Sequence, residues 1–230
     1  MNKEDYNVTE EIIRETPWDK RALGMETYEL LDHSEEALNK SEKLEGHFTL
    51  KVDPLDSKEL LHQYGFYYTD TLVTPVCDKQ KFIPYEDEKL TLMFDVDRED
   101  IIAISKGAYE HGRFHRDFKL NRSGADQRYD NWLGQLYDQN KVWGLAYDGE
   151  LAGFFAFSEN QVLLQAFKPE YQGRGLSKYF WSQAVQILFD EGYDEVKTSI
   201  SAANLAMMNL VTSLGFKFKG AVDIYHKLNA

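Results

Sequence analysis

A glycine-containing loop at residues 168–178 has the residue types and spacing to bind a phosphate. The loop follows an apolar stretch, opens an amphipathic segment, and holds Gly173 and Gly175 two positions apart. Glycine permits backbone angles and close approaches that a side chain forbids, and the free N–H groups at a helix start attract anions. Arg174 and Lys178 add positive charge beside them. An ordinary strand-to-helix turn, which has the same local pattern, is the alternative interpretation.

Two common phosphate-binding patterns fit this loop less well. A dinucleotide fingerprint needs a third glycine after Gly175, and a P-loop ends in Gly-Lys-Ser or Gly-Lys-Thr. Neither feature is present in the sequence.

A second polar cluster lies at residues 111–117. Arg113 and Arg116 are suited to pair with a phosphate or carboxylate of a substrate. A surface loop whose charges pair with one another is the alternative. His115 is a candidate general base because histidine titrates near neutrality, and Asp117 and Glu159 are rival candidates.

The elements that must position these residues follow from hydrophobic periodicity and turn signals. In the first half we predict a turn at 16–19, strands at 28–31, 47–52, 66–76 and 90–94, and a helix that begins after Ser57. In the second half we predict helices at 125–137, 176–190 and 205–214, and strands at 142–147, 151–157, 161–167, 195–201, 216–219 and 221–228. Asp148-Gly149 is a strong two-residue hairpin signal between two of these strands.

The charge distribution along the chain predicts its organisation into parts. A strongly charged stretch with Pro84 separates the two halves, as at a joint between subdomains. We therefore expect an N-terminal α/β half-domain at 1–85, an acidic joint at 86–97 and a second domain at 98–230.

Composition excludes several classes of protein. The formal net charge of -13 argues against a nucleic-acid partner. The single cysteine, Cys77, allows no internal disulfide and no thiolate metal cluster. His111 and His115 are four residues apart, but Gly112 lies between them and a third ligand is missing, so no metal site is predicted. The chain has no apolar run of membrane-spanning length and no signal peptide at its start, so a cytoplasmic location without membrane contact is expected.

Two motifs make the sequence similar to the GNAT acetyltransferase superfamily. Gln172, Gly175 and Ser177 occupy the positions of the signature Gln/Arg-x-x-Gly-x-Gly/Ala, with the small residue Ser177 in place of the usual Gly or Ala. Residues 201–216 resemble the pattern Asn-x-x-Ala-x-x-Leu-Tyr-x-x-x-Gly-Phe. The resemblance implies an α+β GNAT fold, with a central mixed, mostly antiparallel sheet flanked by helices and a smaller α/β subdomain before it.

The resemblance also implies acetyl-CoA as cosubstrate, without a metal. Pantetheine would pair with the strand that holds Ala166 and Phe167, and the amides of residues 172–177 would hold the pyrophosphate. Asn204 would bind pantetheine or an ordered water, besides capping its helix. The implied donor-binding residues are Ala166, Phe167, Gln172, Gly173, Arg174, Gly175, Leu176, Ser177, Lys178 and Asn204.

Proton transfer departs from the family pattern. The family's frequent tyrosine acid falls on Val211, which has no proton to donate. Tyr225 and Ser213 are substitutes, although Tyr225 also fits a strand core. We therefore predict Asn204, Tyr225 and His115 as the catalytic residues.

Shorter stretches resemble dTDP-fucosamine acetyltransferase-like members of the superfamily; they lie at residues 16–24, 65–66, 70–74 and 112–115. This likeness implies an N-acetyltransferase that acts on a primary amine of a small molecule, with an amino sugar nucleotide as a candidate. Two alternatives stay open: acetylation of a protein, peptide or amino acid amine, and a non-catalytic acyl-CoA-binding module. The family's habit also suggests a homodimer through the C-terminal strands.

Overall fold

The computed structural model describes residues 12–229. Its N-terminal part alternates strands and short helices. These elements are β1 (Ile13–Glu15), α1 (Pro17–Leu23), β2 (Thr27–Leu30), α2 (Glu35–Ser41), β3 (Gly46–Val52), α3 (Glu59–Gln63) and β4 (Tyr67–Asp78). A 3₁₀ turn at Lys79–Lys81 follows.

The remaining elements follow the predicted order, apart from an additional helix at 98–105. They are β5 (Leu90–Met93), α4 (Arg98–Ser105), α5 (Arg122–Asp138), β6 (Val142–Tyr147), β7 (Glu150–Ser158), β8 (Gln161–Phe167), α6 (Ser177–Asp190), β9 (Glu195–Thr198), β10 (Ile200–Ser201), α7 (Leu205–Ser213) and β11 (Lys217–Asn229). A 3₁₀ turn at Pro169–Tyr171 lies between β8 and α6. No helix within the described range 12–229 is long and apolar enough to cross a membrane.

Three details of the predicted secondary structure are wrong. The turn expected at 16–19 is the first turn of α1, which begins at Pro17. The strand expected at 195–201 is divided into β9 and β10. The two strands expected at 216–219 and 221–228 form one long strand, β11, with an irregularity between Phe218 and Gly220.

The eleven strands within residues 12–229 all belong to one sheet. Its order is β1-β2-β3-β11-β4-β9-β8-β7-β6-β5, and β10 pairs with β4. The β2–β3 and β8–β9 pairs are parallel and the others are antiparallel. The predicted α+β class with a mixed, mostly antiparallel sheet is therefore confirmed.

The sheet runs through all three predicted parts of the chain. β4 from the N-terminal part lies between β9 and β11, and β5 from the predicted joint pairs with β6. The domain boundaries themselves stay a prediction.

Helix α6 anchors the C-terminal part of the core. It is fourteen residues long and buries one apolar face, which includes Phe180, Trp181, Ala184, Val185 and Leu188. Burying each large side chain contributes about 1.5–3 kcal/mol, so the start of this helix is held firmly at the end of β8.

A second cluster of buried residues, the N-terminal cluster, lies under β3 and α2. It consists of Leu30, Ala37, Leu38, Phe48, Leu50, Val52, Leu61, Phe66 and Tyr225. Tyr225 comes from β11, so the C-terminal strand helps to close this N-terminal core.

The sheet opens between β8 and β9. Their ladder consists of Gln161 with Lys197 and Val162 with Thr198. Beyond Thr198 the chain passes to β10, which pairs with β4 instead. The rest of β8 keeps β7 on one side and faces a gap on the other.

Candidate active site

The predicted phosphate loop connects the end of β8 to the start of α6. The Gln172 side chain braces the loop, since its Nε2 donates a hydrogen bond to the Phe167 carbonyl oxygen at 2.8 Å. Gly173 and Gly175 have φ values of 69° and 73°. This left-handed conformation is unfavourable for residues with a side chain, which is the physical reason for both glycines.

Backbone N–H groups of the loop are available to an anion. Among the described residues, none accepts a hydrogen bond from the N–H groups of 173–178. The N–H of Gln172 differs, because it already donates to the Pro169 carbonyl oxygen at 3.1 Å. Unpaired N–H groups at the positive end of a helix dipole form an anion site.

The two cationic side chains of the loop rest on aromatic rings. The Arg174 guanidinium lies 5.2 Å from the ring centre of Tyr147. Lys178 Nζ lies 4.6 Å from the ring centre of Tyr85. Such contacts hold the two charges beside the loop, where they add to its attraction for an anion.

A cleft of about 640 Å³ extends from this loop through the gap in the sheet. Its volume lies within the range of about 300–1,000 Å³ that is typical of ligand pockets. Five predicted donor-binding residues line it: Ala166, Phe167, Gln172, Ser177 and Asn204. The other predicted residues, Gly173, Arg174, Gly175, Leu176 and Lys178, form the loop beside it, and the Leu176 side chain is buried in the core.

The register of β8 decides which backbone groups face the gap. The Lys168 N–H bonds to the Ala152 carbonyl oxygen, and Ala166 lies opposite Phe154 on β7. The backbone N–H and C=O groups of successive residues point to opposite edges of a strand. The backbone groups of Ala166 therefore point to β7, whereas those of Gln165 and Phe167 point to the gap. Of the two strand residues predicted to lie beside pantetheine, Phe167 turns its backbone to the gap, and Ala166 belongs to the cleft lining.

Asn204 caps α7 as predicted. Its Oδ1 accepts a hydrogen bond from the Met207 N–H at 3.1 Å. It also belongs to the cleft wall.

Tyr225 and His115, the other two predicted catalytic residues, have structural partners. The buried Tyr225 packs in the N-terminal cluster. His115 Nε2 lies 2.8 Å from Asp126 Oδ1, and its ring stacks on Tyr129. Ser213 is exposed, and its hydroxyl donates to the Leu210 carbonyl oxygen. The structure therefore does not bring Tyr225, His115 or Ser213 together with Asn204 in the cleft wall.

Asp70, on β4, is a cleft residue that the sequence analysis did not single out. Its Oδ1 accepts a hydrogen bond from Ser201 Oγ at 2.8 Å and pairs with the Arg116 guanidinium. Its Oδ2 is buried without a hydrogen-bond partner among the described residues. Burial raises the pKa of this carboxyl, against the opposing effects of Ser201 and Arg116. A carboxylate inside the Tyr- and Thr-rich run 67–74 was the available signal.

Asp117, a rival base in the sequence analysis, lies in a separate buried cluster. Its oxygens accept hydrogen bonds from Tyr67 at 3.0 and 3.1 Å and from the Lys119 N–H at 3.0 Å. His226 Nδ1 is 2.8 Å from Oδ2, and His47 Nε2 is 3.4 Å from it. His47, Asp117 and His226 are close enough to share a metal ion, but these contacts already satisfy the carboxylate.

Two opposed pKa shifts follow from this cluster. Burial works against the charged carboxylate, but hydrogen bonds from His226 and His47 hold the pKa of Asp117 below its ordinary value. Burial lowers the pKa of His226 to about 3. At neutral pH a neutral His226 therefore donates to an ionised Asp117, which ties β11 to the loop before α5.

Comparison with protein families identifies the chain. Residues 100–216 match the model of the acetyltransferase (GNAT) family. The chain belongs to this GNAT family. The matched range includes β8, the phosphate loop and α7, so it contains most of the cleft described above.

Solved structures share the GNAT fold over nearly the whole chain. A GCN5-related N-acetyltransferase from Sphaerobacter thermophilus aligns with a TM-score of 0.64 and 13% identity, covering 94% of this chain and 76% of that one. An acetyltransferase of the GNAT family from Novosphingobium aromaticivorans aligns with a TM-score of 0.57 and 16% identity, covering 97% and 91%. No curated protein matches the chain in sequence.

A third match comes from a larger protein. A GCN5-related glucosamine N-acetyltransferase region of a fungal β-N-acetylglucosaminidase aligns with a TM-score of 0.57 and 14% identity, covering 87% of this chain and 30% of that one.

Family membership makes the chain a GNAT acetyltransferase with acetyl-CoA as its cosubstrate. The position of the frequent GNAT tyrosine is occupied by Val211, which is fully buried in the core around α6. That position therefore faces the protein interior and contributes no acid.

Proposed function

We propose that this GNAT enzyme acetylates a primary amine of a small molecule, with amino sugar nucleotides as the leading acceptor class. The observation that carries the proposal is the continuity of one cleft from the start of α6 to the buried carboxylate of Asp70. The cleft has room for a donor beside the loop and an acceptor beside Asp70. The glucosamine-acetylating region with a similar fold supports a sugar amine.

The donor would bind along the loop and the open edge of β8. Acetyl-CoA supplies an activated acetyl group as a thioester. The unpaired N–H groups of 173–178 fit its pyrophosphate. The gap-facing backbone groups of Gln165 and the N–H of Phe167 fit the amides of an extended pantetheine chain, as an added strand does.

A backbone N–H of β8 would also polarise the thioester carbonyl. A fixed N–H dipole in a site that excludes water stabilises the negative charge that develops on this oxygen. Gln165 and Phe167 are the residues whose N–H groups face the gap, so one of them would fill this role.

Asp70 would be the general base. Its Oδ2 is unpartnered, whereas its Oδ1 is held by Ser201 and Arg116, so the carboxylate is oriented with one oxygen available. A raised pKa brings a carboxyl closer to the operating pH, which favours proton transfer. The amine nitrogen bonds to the acetyl carbon, Asp70 takes the amine proton, and the C–S bond breaks.

The leaving group would depart as a thiolate. The buried Val211 replaces the frequent tyrosine acid, and a thiol has an ordinary pKa of about 8.5. Its thiolate leaves without obligatory proton donation, so a buried valine at this position is compatible with turnover.

Two measurements test the proposed function. Acetyl-CoA should raise the melting temperature, and free CoA thiol should appear when the enzyme is given acetyl-CoA and an amine. The amine panel contains amino sugars, amino sugar nucleotides, amino acids, polyamines and basic peptides. If the enzyme acetylates only the basic peptides, the proposal of a small-molecule acceptor is overturned. If no amine of the panel leads to release of CoA thiol, the transferase proposal is overturned.

A further inference from the structure

Three arginines approach the acceptor part of the cleft, and two of them are neutralised by the protein. Arg128 pairs with Asp19, and Arg116 pairs with Asp70. Both of these carboxylates are buried, so the positive charge of each arginine is balanced within the wall of the cleft.

Arg113 is the third arginine, and it has no such partner. Among the described residues, none forms an ion pair or hydrogen bond with its guanidinium, and its Nε is buried without a partner. Burial and the nearby Arg128 cation lower the pKa of Arg113 from its ordinary value. Arginine nevertheless stays charged at neutral pH. Arg113 is half-buried and its Nε is unpartnered, so an anion in the cleft would stabilise it.

Neighbouring groups place Arg113 in the cleft wall. Its guanidinium lies 4.9 Å from the ring centre of Phe114. Tyr109 and Tyr129 stack on each other at 4.5 Å beside it, and both line the cleft with Trp132. Glu110, another acidic residue of the cleft wall, is exposed and paired with Arg122. Asp70, Asp19 and Glu29 attract this guanidinium from a distance, but none of them forms an ion pair with it. The protein therefore offers a planar cation without an ion-pair partner next to flat aromatic surfaces.

We propose that Arg113 is the anion-binding residue of the acceptor site and that the acceptor is an amine that carries a carboxylate or phosphate group. This inference rests on the proposed acetyl transfer to a small amine. The guanidinium fork matches two oxygens of either anion. With the anion at Arg113, the amine of the same molecule is directed toward the open part of the cleft, where Asp70 lies.

Matched pairs of acceptors test the proposal. Glucosamine is compared with glucosamine 1-phosphate, and serine with serinamide, by CoA thiol release at fixed acetyl-CoA. The anionic member of at least one pair should have a kcat/KM at least 30-fold higher, as expected for a buried charge pair. The phosphate pair and the carboxylate pair distinguish the two kinds of anion. Equal kcat/KM within both pairs would overturn the proposal.

Substitution of Arg113 identifies the residue responsible. Arg113→Gln should raise the KM for the preferred anionic amine by about 30-fold or more and leave its neutral partner unaffected, whereas Arg113→Lys should recover part of the loss. Arg21→Gln removes an exposed arginine on α1 and should change neither KM. Equal loss for the anionic and neutral amines would overturn the assignment.

Donor binding separates this inference from the proposed function. Each variant is first checked for stabilisation by acetyl-CoA, which reports on the loop of 173–178 and confirms folding. A wild-type enzyme that binds acetyl-CoA and acetylates neutral or cationic amines better than anionic ones would refute the anion site alone. An enzyme that releases no CoA thiol with any of the amines tested would refute the proposed function.

Discussion

Replacing Asp70 by asparagine should remove activity without removing stability. The change keeps the size of the side chain and an oxygen that can accept from Ser201. It removes the charge that takes the amine proton. Loss of a general base costs about 10²–10⁴-fold in rate, so kcat for the preferred amine should fall by that factor at pH 7.

The stability half of this prediction follows from the raised pKa of Asp70. A carboxyl whose pKa is higher in the fold than in the unfolded chain is destabilising when ionised, because folding then favours the protonated form. Removing its charge therefore costs little at neutral pH. The partly exposed Arg116 loses its partner but stays in contact with water. We expect the free energy of unfolding to change by less than about 1 kcal/mol.

Steady-state acetylation and urea unfolding measure the two halves. The kcat of Asp70→Asn should recover in part between pH 7 and 9, because higher pH supplies more neutral amine without an enzymic base. Asp126→Asn makes the same change at a residue that pairs with His115 and should retain activity. A kcat for Asp70→Asn within threefold of wild type, with the same pH dependence, would refute Asp70 as the base. Destabilisation of several kcal/mol would refute the reasoning from its pKa.

Three further outcomes are expected. Gly175→Ala should weaken acetyl-CoA binding about fivefold, because alanine costs about 1 kcal/mol in the left-handed conformation. Gly149→Ala introduces the same strain in a hairpin turn and should leave the binding constant unchanged. Acidification from pH 6.5 to 5 should lower the free energy of unfolding by about 2 kcal/mol through His226. In this window the histidine of the unfolded chain takes up a proton, whereas the folded one does so only near its pKa of about 3. His226→Asn should flatten this pH dependence in urea titrations, and an unchanged slope would contradict the prediction. Gly215→Ala should lower the free energy of unfolding by about 2 kcal/mol or more, because the added Cβ would lie 2.1 Å from the Lys81 carbonyl oxygen. A melting temperature equal to that of Gly149→Ala would count against this clash.

Elements with local signals were predicted well. Asp148 and Gly149 have φ values of 57° and 85°, as the hairpin signal requires. The predicted bounds of β6 and β8 agree with the structure. Turn residues and strand alternation act over a few neighbouring positions, so they can be identified without knowing the partner strands.

Three short helices were not predicted, although their ends carry signals. Ser34 Oγ caps α2 by accepting from the Ala37 N–H, and Asp97 caps α4. Pro17 and Gly24 mark the two ends of α1, which is a typical asymmetry. Helices of seven or eight residues are marginal alone and depend on packing, so these signals are weak without the tertiary contacts.

The acceptor residues were the least predictable part of the site. Arg113 was considered as an anion ligand, but its lack of a partner depends on Asp19 and Asp70 being taken by Arg128 and Arg116. These pairs join residues that are distant in sequence. Their geometry is set by the packing of α1, β4 and α5, which periodicity does not reveal.

By itself, the sequence determined the donor loop, because Gly173, Gly175 and the start of α6 are adjacent in the chain and their backbone conformation is a local property. Only the tertiary structure decided what the loop faces. β4 of the N-terminal part pairs with β9, β10 and β11, and this long-range pairing brings Asp70 to the cleft. The same pairing holds β10 away from β8. The sheet therefore opens along β8, where backbone N–H and C=O groups of that strand can bind a ligand.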